Sequence, residues 1–320
     1  MLDRLLKSGL LSLVLCVVYG MVMGLLAPGF ASFENLSNVL VAMLPLMVVA
    51  TGQTVVLITA GIDLSVTSII ALTSIAAAAL VTGDGGFLIG FPQADYWATP
   101  LAIVAMLTIG VLVGLLNGGC VVWLKMPAFI VTLTVMMFVS GLAIWSTQSQ
   151  SISELPNSLL IFGKNTWLAS GIALAVGVSV QFLLSRSRMG SGLRVIGYNP
   201  QTALAAGVDV NRLIVLAYVV SGLCAAIASL LIIGQLETGS PVQWENNLLD
   251  VIGATVIGGT SLYGGRGHVL WTFFGVLLLT LIDNSLNLLN LSYFTIMMAK
   301  GGVILLAALL DTLRTRAEAR

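Results

Sequence analysis

Charged residues are scarce in this sequence. Only 8% of its 320 residues are Asp, Glu, Lys or Arg, whereas an ordinary soluble domain carries about 25%. Hydrophobic residues make up 58% of the chain, and its apolar runs approach or exceed the roughly 20 residues that cross a bilayer. This composition excludes a soluble fold and predicts an all-α polytopic membrane protein. The formal net charge is zero, so a nucleic-acid partner has no electrostatic support.

Residues for metal, disulfide or hydrolytic chemistry are also few, with three cysteines and one histidine. The cysteines all lie inside apolar runs, where reduced thiols act as small hydrophobes: Cys16, Cys120 and Cys224. His268 has no second His or Cys nearby, so we expect no metal site and no nucleophile and base pair. A Gly-x-x-x-x-Gly-Lys-Ser/Thr nucleotide loop is missing. We therefore expect no enzyme and no cofactor on this chain, and any ATP and Mg to bind a separate subunit.

Glycine, proline and charged breaks divide the chain into ten candidate spans. Their bounds are 7–27, 37–60, 64–82, 98–122, 127–146, 166–186, 212–236, 251–260, 268–289 and 293–312. The eighth is too short to cross alone and needs protein neighbours. The first is longer than the ~7–15 apolar residues of a signal peptide, so we interpret it as a retained helix. The sequence thus predicts one transmembrane domain over 1–320, with a cytoplasmic loop at 187–211.

The distribution of charge predicts the orientation, because Lys and Arg favour cytoplasmic loops. With the N-terminus inside, ten spans place most basic residues on that side: Arg4, Lys7, Lys125, Arg186, Arg188, Arg194, Arg212, Arg266, Arg314, Arg316 and Arg320. The outer loops then carry acidic residues: Glu34, Asp84, Asp95, Glu154, Glu237, Glu245 and Asp250. Of the two other basic residues, Lys164 falls outside and Lys300 within the last span. Both termini are therefore predicted to be cytoplasmic.

Small residues recur at four-residue spacing, which lets helices approach closely in lipid. Two such stripes are present: Gly20 and Gly24, and Gly110, Gly114 and Gly118. They predict helix packing faces.

The segment TAGIDLSV at 59–66 places a glycine and a lone carboxylate between two apolar runs. Gly61 can open the backbone, and Asp63 and Ser65 can cap the helix that follows. We favour capping over direct substrate contact for Asp63, and both roles stay open. Gln53 and Thr54 lie deeper in the preceding helix and are stronger candidates for a translocation pathway.

A second polar break, GGTSLYGGRG, occupies 258–267. So much glycine implies a tight turn or the close approach of another backbone, and the glycines concerned are Gly258, Gly259, Gly264, Gly265 and Gly267. A phosphate-binding loop would need a preceding strand, which the sequence lacks. One break in each half is typical of transporters in which broken helices line the pathway.

Ionisable groups at membrane depth are expensive and mark functional candidates. Asp283 and Asn284 lie in the ninth span and Lys300 in the tenth. Asp283 and Lys300 can form an interior ion pair or line a path, and Asn284 joins the pathway candidates. A proton-coupled secondary transporter that uses Asp63, Asp283 and Lys300 is therefore an open alternative.

The longest cytoplasmic connection contains RVIGYNPQTALAAGVDV. Asn199 as N-cap, Pro200 in the first turn and Gly207 at the end predict a helix of about two turns over 200–206. Its small-residue face suits a groove on another protein. The predicted docking residues are Asn199, Pro200, Thr202, Ala203, Ala205, Ala206 and Gly207.

Four motifs in order carry a family resemblance: GIDLSV at 61–66, PAFIVTL at 127–133, GYNPQTALAAGV at 197–208 and GGTSLYGGRG at 258–267. Together they resemble the ribose-type permeases of ATP-binding-cassette (ABC) importers, over nearly the whole chain. The resemblance implies a fold like the vitamin B12 importer (type II), with about ten helices. It implies a permease in the bacterial plasma (inner) membrane, paired as a homodimer or paralogous heterodimer. A cytoplasmic ABC ATPase would receive the 200–206 helix as its coupling helix, and a periplasmic or extracellular sugar-binding protein would deliver the substrate.

The resemblance also implies a neutral, hydroxyl-rich substrate, such as a pentose, a hexose or a related sugar. Such a solute needs hydrogen-bonding groups, and the candidates are Gln53, Thr54, Thr132 and Thr134, with Phe129 of the PAF motif. This chain departs from the family pattern at Thr67 and Thr134, where the family usually has glycine. Branched-chain amino acid permeases share similar Gly-rich motifs and are a second alternative.

Overall fold

The computed structural model describes residues 10–82, 97–242 and 244–318, with side chains up to residue 313. In these ranges the chain forms thirteen α-helices and no strand. The helices are α1 (Leu10–Leu26), α2 (Phe33–Ile58), α3 (Val66–Thr82), α4 (Ala98–Trp123), α5 (Ala128–Thr147), α6 (Asn157–Lys164), α7 (Thr166–Arg186), α8 (Arg188–Tyr198), α9 (Pro200–Ala205), α10 (Val210–Leu236), α11 (Leu248–Ile257), α12 (Val269–Leu288) and α13 (Tyr293–Glu318). Several charges used for the orientation lie outside the described residues: Arg4, Lys7, Asp84 and Asp95, and the side chains of Arg314, Arg316 and Arg320.

Each of the ten predicted spans overlaps one helix of the structure, with bounds that differ by up to several residues; residues 7–9 of the first span lie outside the described residues. Among the described residues, seven helices are long and apolar enough to cross a membrane. Two more apolar helices, α1 and α3, have 17 residues each, and α11 has 10. The prediction of an all-α polytopic membrane protein is confirmed, while the count of ten spans and the vitamin B12 importer-like arrangement stay predictions.

Two helices were not predicted, α6 and α8. The segment of α8 contains three glycines and two arginines, so it has the composition of a loop. It is helical because the Ser187 hydroxyl accepts a hydrogen bond of 3.1 Å from the Gly190 amide at its start, and because Leu193 and Ile196 are fully buried on one face. Tertiary packing thus overrides a weak local preference.

The centre of the bundle is formed by α2 and α10, whose apolar segments are the most buried among the seven long helices. The glycine stripe of α4 packs against α10, as the sequence predicted. A Cβ atom on Gly110 would lie 2.4 Å from the Gly222 carbonyl oxygen, and one on Gly222 would lie 2.1 Å from the Gly110 carbonyl oxygen. Gly20 and Gly24 instead face open space in this chain, so only the α4 stripe joins two of its own helices.

Candidate functional site

The first helix break lies at 59–65, between α2 and α3. Gly61 approaches α10 so closely that a Cβ atom would lie 2.8 Å from the Tyr218 hydroxyl oxygen. The Ile62 carbonyl oxygen accepts a hydrogen bond of 3.2 Å from the Thr132 hydroxyl on α5. The break is therefore held from two sides, and a larger residue at position 61 would have to displace the Tyr218 side chain.

Asp63 is fully buried in this break. Its Oδ1 accepts hydrogen bonds from the Ser65 amide at 3.0 Å and the Ser65 hydroxyl at 2.7 Å. Its Oδ2 accepts one of 2.8 Å from the Ser221 hydroxyl on α10. The Asn117 side chain on α4 donates to the Ser65 hydroxyl oxygen at 2.8 Å. The carboxylate thus organises the start of α3, which is the role we favoured, and it has no exposed surface to offer a solute.

Ser221 and Asn117 were not predicted as members of this network. Each lies in the middle of a long, mostly apolar helix. Asn117 stands within the glycine stripe of α4, and Ser221 precedes the Gly222 that packs against it. The sequence signal that could have identified them is a polar residue next to a glycine at a helix contact. Close helix packing buries such a residue, and buried polar groups are nearly always hydrogen-bonded.

Gln53 is also fully buried, on the central helix α2. Neither its side-chain nitrogen nor its oxygen has a hydrogen-bond partner among the described residues. The neighbouring Thr54 is different, because its hydroxyl bonds to the Ala50 carbonyl oxygen and the Thr272 hydroxyl, each at 2.8 Å. A buried polar group left unpaired costs about 1–3 kcal/mol. Gln53 therefore has hydrogen-bonding groups that none of the described residues uses.

The three candidates on α5 lie on different faces of that helix. Thr132 is fully buried, whereas Phe129 and Thr134 are exposed. The Thr134 hydroxyl donates to the Ile130 carbonyl oxygen of its own helix at 2.8 Å. Residues two apart on a helix point in nearly opposite directions, so Thr132 and Thr134 cannot face the same space. Only Thr132 is brought to the first break.

Asn284 joins two helices rather than standing free. Its side-chain nitrogen donates to the Asn35 side-chain oxygen at 2.8 Å, and the Asn35 nitrogen donates back to the Asn284 oxygen at 2.9 Å. Asn35 also donates to the Phe30 carbonyl oxygen at 2.9 Å. This reciprocal amide pair joins α12 to the first turn of α2. It engages both the nitrogen and the oxygen of the Asn284 side chain, which leaves little hydrogen-bonding capacity for a solute.

The second break, 258–267, is a tight turn, as its glycine content predicted. Gly259, Gly264 and Gly265 have positive φ angles of 82°, 84° and 78°, a region that side-chain-bearing residues rarely adopt. Gly258 packs against α12, where a Cβ atom would lie 2.6 Å from the Thr272 Cα atom. The two breaks are not separate, because the Gly265 amide donates a hydrogen bond of 2.8 Å to the Ile58 carbonyl oxygen at the end of α2.

The predicted cytoplasmic helix is present as α9. The Asn199 side-chain oxygen caps it, accepting from the Gln201 amide at 2.8 Å and the Thr202 amide at 3.3 Å. Pro200 occupies the first turn, and Gly207 follows the helix with a φ of 75°.

One predicted docking residue of α9 needs correction. Ala203 is fully buried against Ile196 of α8 and Val210 of α10, so it cannot contact a partner. One face of a short helix must bury against the protein that carries it, and Ala203 lies on that face. The remaining docking candidates are exposed: Asn199, Pro200, Thr202, Ala205, Ala206 and Gly207. Leu204, which was not predicted, is 55% exposed beside them and adds an apolar group to the surface.

Lys300 is bound by two carboxylates. Its Nζ lies 2.7 Å from Asp250 Oδ2 and 3.2 Å from Asp283 Oδ1. The predicted pair with Asp283 is confirmed. The prediction of Asp250 as an outer-loop residue is wrong, because Asp250 stands in the first turn of α11 and is 8% exposed. The lysine therefore fastens α13 to both α11 and α12.

Gln181 on α7 joins the start of α12 to its own helix. Its side-chain oxygen accepts from the Val269 amide at 2.9 Å, and its nitrogen lies 3.1 Å from His268 Nδ1. Because the Gln181 oxygen already accepts from Val269, its nitrogen is the donor and Nδ1 the acceptor in this contact, so the only histidine has a structural partner.

The described residues thus form a bundle of helices, seven of them long and apolar enough to cross a membrane, in which two helix breaks meet beside a capped short helix. Residues 35–309 match the family model described as branched-chain amino acid transport system / permease component, and the chain belongs to this family. The expected class, an ABC transporter permease of the inner membrane, is confirmed.

Relatives cover nearly the whole chain. The ribose import permease protein RbsC of Escherichia coli K12 is 32% identical over 311 residues, covering 94% of this chain and 92% of that protein. The fructose import permease protein FrcC of Rhizobium meliloti is 31% identical over 316 residues, covering 94% and 84%. The L-arabinose transport system permease protein AraH of E. coli K12 is 32% identical over 310 residues, covering 96% and 91%. The resemblance to ribose-type permeases is therefore confirmed. No solved structure matches the chain.

Proposed function

We propose that this chain forms half of the membrane pathway of an ATP-driven importer for a monosaccharide. The relatives that support this substrate class are named for ribose, fructose and L-arabinose. The second half is another permease subunit, either a copy of this chain or a paralogue. The N- and C-termini lie in the cytoplasm, and a sugar-binding protein supplies the solute from the opposite side.

The observation that carries the proposal is the exposed helix α9. It is capped by Asn199 and exposes Leu204, Ala205 and Ala206, so it offers a small apolar surface that none of the described residues covers. An amphipathic helix of this kind fits a groove on another protein. We infer that the groove belongs to a cytoplasmic ATPase, which binds ATP and Mg and performs the hydrolysis.

The pathway we propose passes the first break, close to Gln53 and Thr132. Gln53 supplies two N–H donors and an acceptor oxygen, and neither of its polar atoms is engaged in the structure. A neutral polyol needs such groups and no fixed counter-charge. ATP-driven closure of the partner subunits moves α9, and the segments around the two breaks then change the side of the membrane to which the pathway opens.

The test is purification of the chain from its native cell in mild detergent, with mass spectrometry of the proteins that co-elute. We expect an ATPase with a nucleotide-binding loop, and we expect Ala206→Trp to abolish its recovery because the indole blocks the exposed face of α9. Ser153→Trp is the matched control. Ser153 is an exposed residue in the connection between α5 and α6, outside α8 and α9. Recovery of the chain without any ATPase would refute the proposal.

The description of the matching family, which names branched-chain amino acids, supports a second candidate substrate. In that case leucine competes for uptake by the reconstituted complex and monosaccharides do not. The proton-coupled alternative predicts uptake by the isolated chain in proteoliposomes with a proton gradient, abolished by Asp283→Asn. Under our proposal the isolated chain accumulates no solute.

A further inference from the structure

Three segments that are far apart in the sequence meet backbone to backbone beside α9. They are the end of α2 at Ile58, the end of α8 at Gly197, and the second break at Gly264 and Gly265. A Cβ atom on Gly197 would lie 1.9 Å from the Ile58 carbonyl oxygen and 2.3 Å from the Gly265 amide nitrogen. The Gly265 amide donates to that same Ile58 oxygen at 2.8 Å. We name this contact of Ile58, Gly197, Gly264 and Gly265 the glycine junction.

The junction leaves no room for side chains between its members. A Cβ atom on Gly264 would lie 2.8 Å from the Ala60 amide nitrogen and 2.9 Å from the Gly197 carbonyl oxygen. Side chains can absorb a displacement by changing rotamer, but backbones in direct contact cannot, since close-packed interiors transmit strain. A shift of α8 at Gly197 must therefore reach both helix breaks.

The short helix α9 is firmly attached to the same point. Asn199 ends α8 with its own amide, which donates to the Val195 carbonyl oxygen at 2.9 Å, and it begins α9 with its side chain. A single residue thus serves both helices. The buried contact of Ala203 with Ile196 closes the angle between them, so α8 and α9 form one unit, with Gly197 and Tyr198 close to the corner where the two helices meet.

A side-chain contact reinforces the junction. The Arg266 Nε donates a hydrogen bond of 3.1 Å to the Tyr198 hydroxyl oxygen, and its guanidinium carbon lies 6.0 Å from the centroid of the Tyr198 ring. That separation is at the limit of a cation–π interaction. The Tyr198 ring also covers Gly265, where a Cβ atom would lie 2.8 Å from two ring carbons. Tyr198 therefore holds the second break from the side of α9.

We propose that the glycine junction, with Tyr198 and Arg266, is the positioning contact that carries movement of α9 to both helix breaks at once. The inference rests on the proposed function, because it gives docking of the ATPase on α9 a route to the pathway. Gly197 and Tyr198 are positioning residues and do not touch the solute.

The experiment compares Gly197→Ala with Gly171→Ala in the purified complex. Both residues lie inside helices, so both changes improve helix propensity, but Gly171 on α7 has no neighbour within 4 Å of a built Cβ atom. The measurements are recovery of the ATPase, ATP hydrolysis, and solute moved per ATP in proteoliposomes. For Gly197→Ala we expect the ATPase to stay bound and active while solute moved per ATP falls about 2- to 30-fold, the range of energetic couplings between sites. Gly171→Ala should match the wild type.

An unchanged transport-to-hydrolysis ratio in Gly197→Ala would overturn the inference. If this variant cannot be recovered folded, Tyr198→Phe decides, because the ring is 63% exposed and only its hydroxyl is removed. A fall in the ratio for Tyr198→Phe supports the junction, and a wild-type ratio overturns it. The proposed function fails separately, when the wild-type chain yields no ATPase, and that result is obtained before any junction variant is made.

Discussion

Replacement of Gln53 by methionine should lower transport while it raises the stability of the protein. Methionine has nearly the same length and the same helix propensity as glutamine, and its flexible thioether adapts to irregular space. The substitution therefore removes the amide with little change in packing. Because neither polar atom of Gln53 has a hydrogen-bond partner within 10–82, 97–242 and 244–313, no hydrogen bond to those residues is lost.

The expected magnitude follows from the burial of this amide. Each unpaired buried polar group costs about 1–3 kcal/mol, so Gln53→Met should raise the free energy of unfolding by at least about 1 kcal/mol. The thermal midpoint in detergent should then rise by about 2–4 °C for each kcal/mol. Transport should fall at the same time, because the solute loses its hydrogen bonds to this side chain.

The matched control is Gln235→Met on α10. The Gln235 side-chain nitrogen donates to the Val41 carbonyl oxygen at 2.9 Å, so this change breaks a hydrogen bond and should lower stability by about 0.5–1.5 kcal/mol. The assays are thermal unfolding of the complex and uptake of labelled sugar by proteoliposomes. The argument is refuted if Gln53→Met lowers the midpoint as Gln235→Met does, since its amide would then have a partner in the resting state. Unchanged uptake would remove Gln53 from the pathway.

Three further predictions concern contacts that hold the permease together. Asp63→Ala leaves two hydroxyls and an amide without their acceptor, so it should destabilise the chain by about 1–3 kcal/mol for each buried donor left unpaired. It should impair assembly in gel filtration without altering sugar preference, and Asp63→Asn, which keeps one acceptor oxygen, should lose less. Lys300→Met removes the cation that pairs with Asp250 and Asp283 and should lower the thermal midpoint more than Asp283→Asn does. The Lys300–Asp283 pair is half-exposed on the Asp283 side and contributes only about 0–1 kcal/mol. Asn199→Ala removes the cap of α9, which costs about 1 kcal/mol of helix stability, and should reduce ATPase recovery from detergent extracts while uptake falls in proportion.

Much of the fold was predictable because its signals are local. Ten apolar runs between glycine, proline and charged residues gave ten helices, and the cap Asn199 with the terminal Gly207 gave α9 almost to the residue. The start of α3 was predictable for the same reason, since Asp63 accepts a hydrogen bond from the Ser65 amide, only two residues along the chain.

Contacts between distant elements were not predictable in this way. The side on which Ala203 is buried depends on Ile196 and Val210, which surround α9 only after folding. The position of Asp250 beside Lys300 depends on how α11 lies against α13. A glycine-rich segment signals that a backbone comes close, but it does not say which backbone, so the meeting of the two breaks required the structure.

The two departures from the ribose-type pattern are not equivalent once they are placed in the fold. Thr134, where the resemblance implies a glycine, lies on the exposed face of α5, and its hydroxyl is bonded to the backbone of its own helix. That change adds no polar group to the surroundings of the first break. Thr67 is 3% exposed and stands in the first turn of α3, two residues after Ser65 of the Asp63 network. Of the two departures, Thr67 is therefore the one that lies beside the first break in the chain.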